Sequence, residues 1–590
     1  MSRAYRDITE YAKGQAAAIF PVFIFWLYIA AQIPYAQDDW TWGTARGVQH
    51  LLSADINSRY FGNIIEMVVT RSEIAKTIIM AVVFTMIPFM FARLATYHDR
   101  EAVREMEASM DAGTVSKADA ASSAGMYKAV YREAGEHARM LRFNICFLFG
   151  TLLMVTINSA IWRQTHGWIA GFSNFVVSAL FIELFFFIFI WGGSKPLEYK
   201  NGLSKWGINC AGAFLFCIAI QLLLENVTVF LVFFGIVTLI YQKKVNRHIS
   251  VRYVSMMAGL TAGAFIMFSS RVFGTLFSTG QAVGGIRKFT FDIDAGLCSI
   301  IKQLFKRYFS VVFPNALTID VFACLTVLML ISAVLIIQIK KRTEYKPDSS
   351  SGAEAHLRGS DSCIADITFS GKTRSMKSRI ILTAVPHAIV ASAVGLTSER
   401  VSEVFGWTVP TGLNIAVSVM FFILTACDFY IVFCFEKKLR RENAGTKLLF
   451  IWLFIPVLMA PLAAIYTKGY RTYYTPVIFI FLISVMLLNH ILRSRAEIKI
   501  YRIFMLVIAV VLIFRCIYIG KVYCDIGGVK KERDALTADC IKTGKYELTL
   551  HEYPHKDYRW ISSPRKSNRV VFYKEFYGIP EEVTLVFEEK

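Results

Sequence analysis

Charged residues are scarce in this chain of 590 residues, of which Asp, Glu, Lys and Arg make up only 18%. A soluble globular chain carries about 25% of these residues. Hydrophobic residues instead account for 55% of the sequence, and they form blocks of roughly 18–24 residues, long enough to cross a hydrocarbon core as helices. A membrane β-barrel would need short alternating strands, which are missing. The scarcity of charge therefore excludes a soluble enzyme and predicts an all-α polytopic membrane protein.

The apolar blocks predict about 13 transmembrane helices. Their expected bounds are 16–36, 75–95, 143–161, 173–193, 207–223, 228–242, 253–270, 317–339, 380–397, 413–435, 448–466, 475–492 and 503–521. The ninth block is interrupted by Pro386 and His387. No internal repeat relates the blocks to one another, which disfavours the transporter architectures that are built from duplicated halves.

The eleven cysteines lack the spacing of a metal site. No CxxC or Cys/His pattern typical of zinc is present, and most of the cysteines fall in the apolar blocks as small buried residues. Cys524 and Cys540 follow the last block and are close enough in sequence to form a disulfide in an oxidising compartment.

The net charge is +20, and the Lys and Arg residues are distributed unevenly among the short loops. Sixteen Lys and Arg residues lie in one set of short loops and four lie in the alternate set, namely Arg163, Arg400, Lys468 and Arg471. The positive-inside rule then places the N-terminus in the cytoplasm and the C-terminal tail outside a plasma or inner membrane. This bias, with anionic lipid as the partner, accounts for the charge without a nucleic-acid partner.

The predicted organisation is a transmembrane domain over residues 1–521 and a small extracytoplasmic α+β tail domain over residues 522–590. The outer loop 37–74 contains two amphipathic helical patterns, one through Val48, Leu51, Leu52 and Ile56 and one over residues 60–69. Segments 97–141 and 343–378 are cytoplasmic inserts, the first a polar helical hairpin and the second a linker. In the tail, residues 547–550, 569–573 and 583–587 are expected to be short strands.

Asp38 and Asp39 follow the first block directly and are predicted to face outward. Adjacent carboxylates resist ionising together, so one of them can have a raised pKa and act as a base. The pair can also hold a divalent cation such as Mg²⁺ or Mn²⁺. The simplest alternative is a helix cap with exposed charges just outside a span.

The same outer loop continues with Arg46, His50, Asp55 and Arg59. Acidic, basic and guanidinium groups between two membrane-lying helices suit an anionic lipid headgroup. Arg59 is the strongest candidate for phosphate binding because its fork donates two parallel bonds. Snorkelling to the phosphates of the bilayer is an equally simple role for this side chain.

Other outer loops add polar groups that can join this site. His166, Trp168 and Asn174 lie in a Trp-rich loop, whose tryptophans either stack on sugars or form an interfacial belt. Lys468 and Arg471 lie in a short outer loop, against the charge bias, and are candidates for phosphate binding. Glu225 lies at the outer turn between the fifth and sixth spans. Five titratable residues lie within or at the edges of spans, as structural partners or as parts of a pathway: Glu183, Asp320, His387, Asp428 and Arg515.

This arrangement resembles the GT-C superfamily of integral-membrane glycosyltransferases, which has a long first outer loop, an acidic pair after the first span and about a dozen spans. More narrowly, it is similar to a largely uncharacterised bacterial group within that superfamily. The similarity lies in the motifs at 38–40, 57–63, 168–174 and 576–580 and in the loop of Arg471. It implies inverting transfer of a sugar from a polyprenyl-phosphate donor to a cell-envelope acceptor on the outer face.

The resemblance assigns roles to individual residues. Asp39, favoured over Asp38 by a small margin, takes the proton of the acceptor hydroxyl. Arg59, Arg471, Lys468 or a cation stabilises the departing phosphate. A transporter or flippase for a lipid-linked glycan is the alternative, in which Glu183 and Asp428 would matter most. A glycan polymerase or acyltransferase would have to rely on Arg163 and His166.

Overall fold

Long apolar helices dominate the computed structural model, which describes residues 3–54, 56–111, 125–191, 203–247, 249–281, 288–292, 294–344, 376–397, 408–438, 444–465, 469–494, 498–564 and 567–589. Within these ranges, eleven helices are long and apolar enough to cross a membrane, and each coincides with a predicted span. The fifth and ninth predicted spans correspond to the shorter apolar helices Asn209–Gln221 and Thr383–Leu396. The chain is therefore an all-α polytopic membrane protein in architecture.

The helices of the first half are α1 (Arg3–Gln32), α2 (Asp38–Trp42), α3 (Ala45–Ser53), α4 (Tyr60–Arg71), α5 (Glu73–Asp111), α6 (Gly125–Thr156), α7 (Ser159–Thr165), α8 (Ile169–Trp191, with two π-helical turns), α9 (Leu203–Gln221), α10 (Glu225–Asn246), α11 (Val251–Phe268) and α12 (Arg271–Thr279). Those of the second half are α13 (Leu297–Arg307), α14 (Phe313–Thr318), α15 (Val321–Glu344), α16 (Met376–Leu396), α17 (Thr411–Lys438), α18 (Ala444–Met459), α19 (Tyr474–Ser494), α20 (Ile498–Thr543) and α21 (Ser567–Tyr577).

Helix α19 is the centre of the bundle. Nearly all of its residues are buried, and it packs against α5, α6, α15 and α18. Asn489 of α19 donates to the backbone oxygen of Ala95 at 2.8 Å, so one of its few polar side chains is used to tie it to α5. Exposed apolar side chains are found instead on α1, α11 and α20, as expected of helices that face lipid.

The loop between α1 and α5, which the sequence predicts to be an outer loop, folds into α2, α3 and α4. Helix α3 ends at Ser53 because Ala54 adopts a left-handed conformation with φ 48°, so Ile56, which the sequence places on the same helical face, lies beyond the helix. Helix α4 is amphipathic, but its polar side is buried and part of its apolar side is exposed. Asn63 and Glu66 are buried, whereas Ile64 and Val68 are exposed. Its apolar face is available to lipid and its polar face points into the protein.

The tail after residue 543 is a small β-α-β unit. Strands β1 (Glu547–His551) and β2 (Thr584–Glu588) pair in parallel, with Leu548 opposite Leu585. Parallel strands need a crossover connection, and α21 supplies it. The prediction of strands at 547–550 and 583–587 is confirmed, whereas the predicted strand at 569–573 is wrong because this segment forms α21.

The disulfide that the sequence leaves open between Cys524 and Cys540 is not formed. Both cysteines are free, and both lie on α20. Sixteen residues of helix separate them by about 24 Å, whereas a disulfide needs Cα atoms about 5.5–6 Å apart.

The two inserts that the sequence predicts to be cytoplasmic are described to different extents. Helix α5 continues to Asp111 and α6 begins at Gly125, so the segment 97–141 is helical on both sides of residues 112–124, which lie outside the described residues. The predicted linker 343–378 falls almost entirely outside the described residues.

The tail packs directly on the outer loops. The backbone N–H of Trp560 donates to the oxygen of Gly167 at 3.1 Å. Tyr573 of α21 meets the ring of Trp40 at 5.1 Å between centroids, and Phe576 meets Tyr35 at 4.9 Å. The tail is therefore a cover on one end of the bundle, the end that carries α2 and α7.

A substitution at Gly167 tests whether the tail packs on this loop. A Cβ atom there would meet the backbone oxygen of Tyr558 and lie 3.1 Å from the Cα of Arg559, and backbone atoms cannot rotate away. We expect Gly167→Val to raise hydrogen exchange in the tail by about tenfold or more, because its contacts with the loop open. Gly528→Ala is the matched control, since its Cβ atom meets nothing within 4 Å. Unchanged exchange in Gly167→Val would contradict the docking.

Candidate functional site

Asp39 is completely buried in the first turn of α2. One carboxylate oxygen, Oδ2, accepts the backbone N–H of Ala36 at 2.8 Å. The other, Oδ1, accepts the backbone N–H of Ala170 at 2.9 Å, across 131 residues of sequence. The turn that leads into α2 is tight, because Gln37 has φ 42°. A single carboxylate thus joins the first outer loop to the start of α8.

Burial raises the pKa of Asp39 well above its usual range, and the two backbone N–H donors oppose this rise. Glu66 of α4 is buried as well, and its pKa is also raised, first by burial and then by the charges of Asp39 and Asp38. Arg59 acts in the opposite direction on Glu66. Three carboxylates and one guanidinium therefore influence one another at the outer end of the bundle.

Asp38 has a different environment from its neighbour. Its side chain is 42% exposed, and Oδ1 lies 3.2 Å from Nη1 of Arg569, on the tail helix α21. Arg46 is also held by α21, through Glu575 at 2.5 Å and through the ring of Phe572 at 5.3 Å. Two predicted site residues are therefore covered by the tail, a contact that no local pattern in the sequence indicates.

Arg59 and Arg471 come together around one aromatic ring. The guanidinium carbon of Arg59 lies 5.5 Å from the centroid of Phe175, and that of Arg471 lies 5.9 Å from the same centroid. Arg59 donates from Nε and Nη2 to the carboxylate of Glu225, at 2.9–3.1 Å. Arg471 stacks over Trp168 at 5.0 Å. Four predicted residues from four separate loops thus form one polar and aromatic cluster.

Trp168 connects this cluster to the acidic pair. Its Nε1 donates to the backbone oxygen of Ala36 at 3.3 Å, next to the N–H that Asp39 binds. Its ring stacks on Trp560 of the tail at 5.2 Å. Asn174, one turn into α8, donates from Nδ2 to the oxygen of Ala170 at 2.9 Å. The predicted residues Trp168 and Asn174 therefore lie beside Asp39.

The remaining predicted site residues stand apart or cannot be placed. His166 is fully buried among Trp26, Phe84 and Trp162, and its Nε2 lies 3.1 Å from the hydroxyl of Tyr474. His50 packs against the ring of Trp42 at 6.3 Å. Asp55 and Lys468 lie outside the described residues.

The acidic pair does not form a chelate for a metal ion, because both oxygens of Asp39 already accept backbone N–H groups. In the part of the chain that the structure describes, no group of three or more His, Cys, Asp or Glu side chains is arranged to hold a metal. The predicted Mg²⁺ or Mn²⁺ site on Asp38 and Asp39 therefore has no support from the geometry.

Charged residues within or at the edges of the spans are mostly structural. Asp320 accepts the backbone N–H groups of Asn158 and Ala323, Asp428 bonds His387 at 2.7 Å, and Arg515 donates to the oxygen of Val155. Glu183 differs, since it is fully buried and neither carboxylate oxygen has a hydrogen-bond partner.

Glu66 and Asn63 are the residues that sequence reasoning missed. Their signal was present, because Gly62, Asn63 and Glu66 recur at helical spacing opposite the apolar face of α4. Arg569 and Trp560 had no such signal, since their roles depend on how the tail folds back.

Comparisons with known proteins add no family: no protein-family model matches the chain, and no curated protein and no solved structure is similar to it.

His166 gives a test that depends on pH. Burial lowers the pKa of His166 from 6.5 to about 3. Between pH 6.5 and 3, this histidine is therefore protonated in the unfolded chain and neutral in the folded protein. The contribution of neutral His166 to the free energy of unfolding is therefore present above about pH 6.5 and falls by up to about 1.4 kcal/mol per unit as the pH drops towards 3. We expect His166→Gln to flatten the loss of thermal stability between pH 6.5 and 4. Tyr474→Phe, which leaves the histidine in place, should keep the slope, and equal slopes for His166→Gln and wild type would contradict the assignment.

Proposed function

We propose that the chain is a GT-C-like membrane glycosyltransferase that moves a sugar from a polyprenyl-phosphate donor to a cell-envelope glycan or lipid acceptor on the extracytoplasmic face. The supporting observation is the convergence of the acidic pair, Arg59 and Arg471 through the contacts of Asp39, Trp168 and Phe175. A carboxylate, two guanidinium groups and exposed apolar surface on α4 are the parts that such a transfer needs.

Asp38 is the better candidate for the base. Its side chain is partly exposed, whereas Asp39 has no exposed surface and uses both oxygens to hold the backbone. In the proposed step, Asp38 takes the proton of the acceptor hydroxyl, whose oxygen bonds to the anomeric carbon. The bond from that carbon to the phosphate oxygen breaks, and its electron pair leaves with the polyprenyl phosphate. The configuration inverts, and Asp39 acts by holding the loop in place.

The departing phosphate requires positive charge. Arg59 and Arg471 are held on aromatic rings and are thus preorganised, which lowers the cost of ordering them on binding. Glu225 orients Arg59. A phosphate that approaches the guanidinium of Arg59 would either share this group with Glu225 or displace Glu225 from it. Lys468 is close in sequence to Arg471 and would add charge to the same loop.

The tail limits access to the base. When an acceptor hydroxyl arrives at Asp38, Arg569 must either release this carboxylate or share it with the hydroxyl. Since α21 also holds Arg46 and packs on Tyr35, a small displacement of α21 would be sufficient to open the acidic pair. The acceptor would then enter beneath the tail, and the lipid donor would enter along the exposed apolar face of α4.

Asp38→Asn tests the assignment of the base. Reconstituted vesicles with polyprenyl-phosphate-linked sugars and an envelope glycan extract would be assayed for release of polyprenyl phosphate. We expect kcat to fall by at least about 100-fold, since a general base contributes about 10²–10⁴, while the helical circular dichroism is unchanged. Asp525→Asn, which removes an exposed carboxylate that pairs with His555, is the control. Full activity in both Asp38→Asn and Asp39→Asn would refute the proposed function.

Arg471→Ala tests the phosphate site in the same assay. Loss of a charge-assisted contact should raise the KM for the lipid donor by about tenfold or more, with a smaller effect on the acceptor. Lys545→Ala, which removes an exposed tail cation paired with Asp539, should leave both constants unchanged. An unaltered donor KM in Arg471→Ala would exclude this arginine from the site.

The flippase remains a second candidate because Glu183 is a buried carboxylate without a hydrogen-bond partner inside a span, which is typical of a transport pathway. If transport is the function, Glu183→Gln stops translocation of a fluorescent lipid-linked glycan across the same vesicles, and Asp38→Asn leaves it intact. The opposite pattern, with transfer lost in Asp38→Asn only, favours the glycosyltransferase.

A further inference from the structure

Helix α4 and the start of α8 pack against each other, and both contain buried side-chain oxygens without a hydrogen-bond partner. Asn63, Glu66, Ser173 and Asn174 are each at most 5% exposed. One oxygen of each has no hydrogen-bond partner: Oδ1 of Asn63, Oε1 of Glu66, Oγ of Ser173 and Oδ1 of Asn174. We refer to these four side chains as the oxygen seam. A buried acceptor that is left unsatisfied costs about 1–3 kcal/mol, and more when it carries charge, so the seam requires a partner.

The free atoms of the two asparagines are oxygens, as their amide nitrogens are already used. Nδ2 of Asn63 donates to Oδ1 of Asn57 at 2.8 Å, and Nδ2 of Asn174 donates to the backbone oxygen of Ala170 at 2.9 Å. These bonds fix which way each amide is turned. Both free amide atoms are therefore acceptors, and Glu66 adds a third acceptor when its carboxylate is ionised.

The geometry of Gly62 shows where the seam lies. A Cβ atom at Gly62 would stand 2.5 Å from Oδ1 of Asn174 and 3.6 Å from the backbone oxygen of Ser173, so the start of α8 packs directly on the first turn of α4. Asn63 is the next residue, and Glu66 follows one turn later on the same buried face. Only a residue without a side chain lets the oxygen of Asn174 approach this closely.

The charges around the seam call for a cation. Glu66 is a buried carboxylate, and both its burial and the charges of Asp39 and Asp38 disfavour its ionisation. Arg59 is the nearby positive charge, but it is already bound by Glu225. Hydroxyl ligands such as sugars would bring acceptors as well as donors, and the tight approach at Gly62 leaves little room for them. Carboxylate, amide and hydroxyl oxygens are the ligands that hard divalent cations take.

We propose that the oxygen seam binds one hard divalent cation of the Ca²⁺ or Mn²⁺ type through Glu66, Asn63, Asn174 and Ser173. The seam differs from a cation site on Asp38 and Asp39, since Asp39 supplies nearby charge and no ligand. A bound cation would pin α4 to α8 and neutralise Glu66 beside the acidic pair. The inference depends on the seam and stands independently of the proposed sugar transfer.

Metal binding to the full chain tests the proposal directly. The purified protein in lipid nanodiscs is stripped with a chelator and titrated with Mn²⁺, and bound Mn²⁺ is measured by electron paramagnetic resonance with Ca²⁺ as competitor. We expect one saturable site per chain. Glu66→Gln should weaken it by at least about tenfold and Asn174→Asp should tighten it, because the first removes a charge from the ligand set and the second adds one.

Asp539→Asn, which removes an exposed carboxylate of α20, is the matched control and should bind Mn²⁺ as wild type does. Unchanged affinity in Glu66→Gln, or the lack of a saturable site in a wild-type protein that elutes as a single species, would overturn the proposal. In that case a protonated Glu66 or buried water satisfies the seam. Asn174→Asp would then lower the thermal stability without any rescue by Ca²⁺. Transfer activity does not enter the measurement, so this proposal and the proposed function can fail separately.

Discussion

The buried carboxylate of Asp39 is the interaction on which the candidate site at this end of the bundle depends. It accepts two backbone N–H groups, from Ala36 and from Ala170, and so joins segments more than 130 residues apart in sequence. Removing a carboxylate from water is costly unless hydrogen bonds replace its solvation, and here both oxygens have replacements. Nearby, Lys76 donates to the backbone oxygen of Ile33 at 2.9 Å and holds the chain that leads into this turn.

The other features of the site follow from this joint. Because Ala170 is fixed, Trp168 lies against Ala36 and offers its ring to Arg471, and Phe175 lies one turn further into α8, beside Arg59 and Arg471. The polar face of α4 is buried against the same part of α8. The tail closes the arrangement from outside, with Trp560 on Trp168 and Arg569 on Asp38. Polar groups that would be solvated singly thus form one connected cluster.

Hydropathy was sufficient to predict the bundle, because burial in lipid requires long continuous apolar helices. Part of the site was also predictable: an acidic pair after the first span and cations in outer loops that are otherwise poor in them gave Asp38, Asp39, Arg59 and Arg471. The different roles of Asp38 and Asp39 could not be predicted, since they depend on which carboxylate turns towards Ala170. A carboxylate in a buried environment and its exposed neighbour look identical in sequence.

The tail and α4 show why the rest was missed. Residues 570–573 are β-branched and aromatic, as in a strand, but they lie in the crossover that the parallel pairing of β1 and β2 requires, and this crossover is helical. His166 was predicted to join the site because it lies in a Trp-rich loop beside other polar residues, yet aromatic packing buries it. For α4, the sequence pattern was interpreted from its apolar face alone, although the opposite face contains Asn63 and Glu66.

Amide hydrogen exchange in Asp39→Asn tests the central claim most directly, with peptides that cover residues 33–40 and 167–172 followed by mass spectrometry. An asparagine at position 39 cannot accept both N–H groups, so exchange at Ala36 and Ala170 should rise together by about tenfold or more. Asp38→Asn should leave both peptides as in wild type. Exchange that stays unchanged in Asp39→Asn, or that rises equally in Asp38→Asn, would contradict the role of Asp39 as the joint between the two loops.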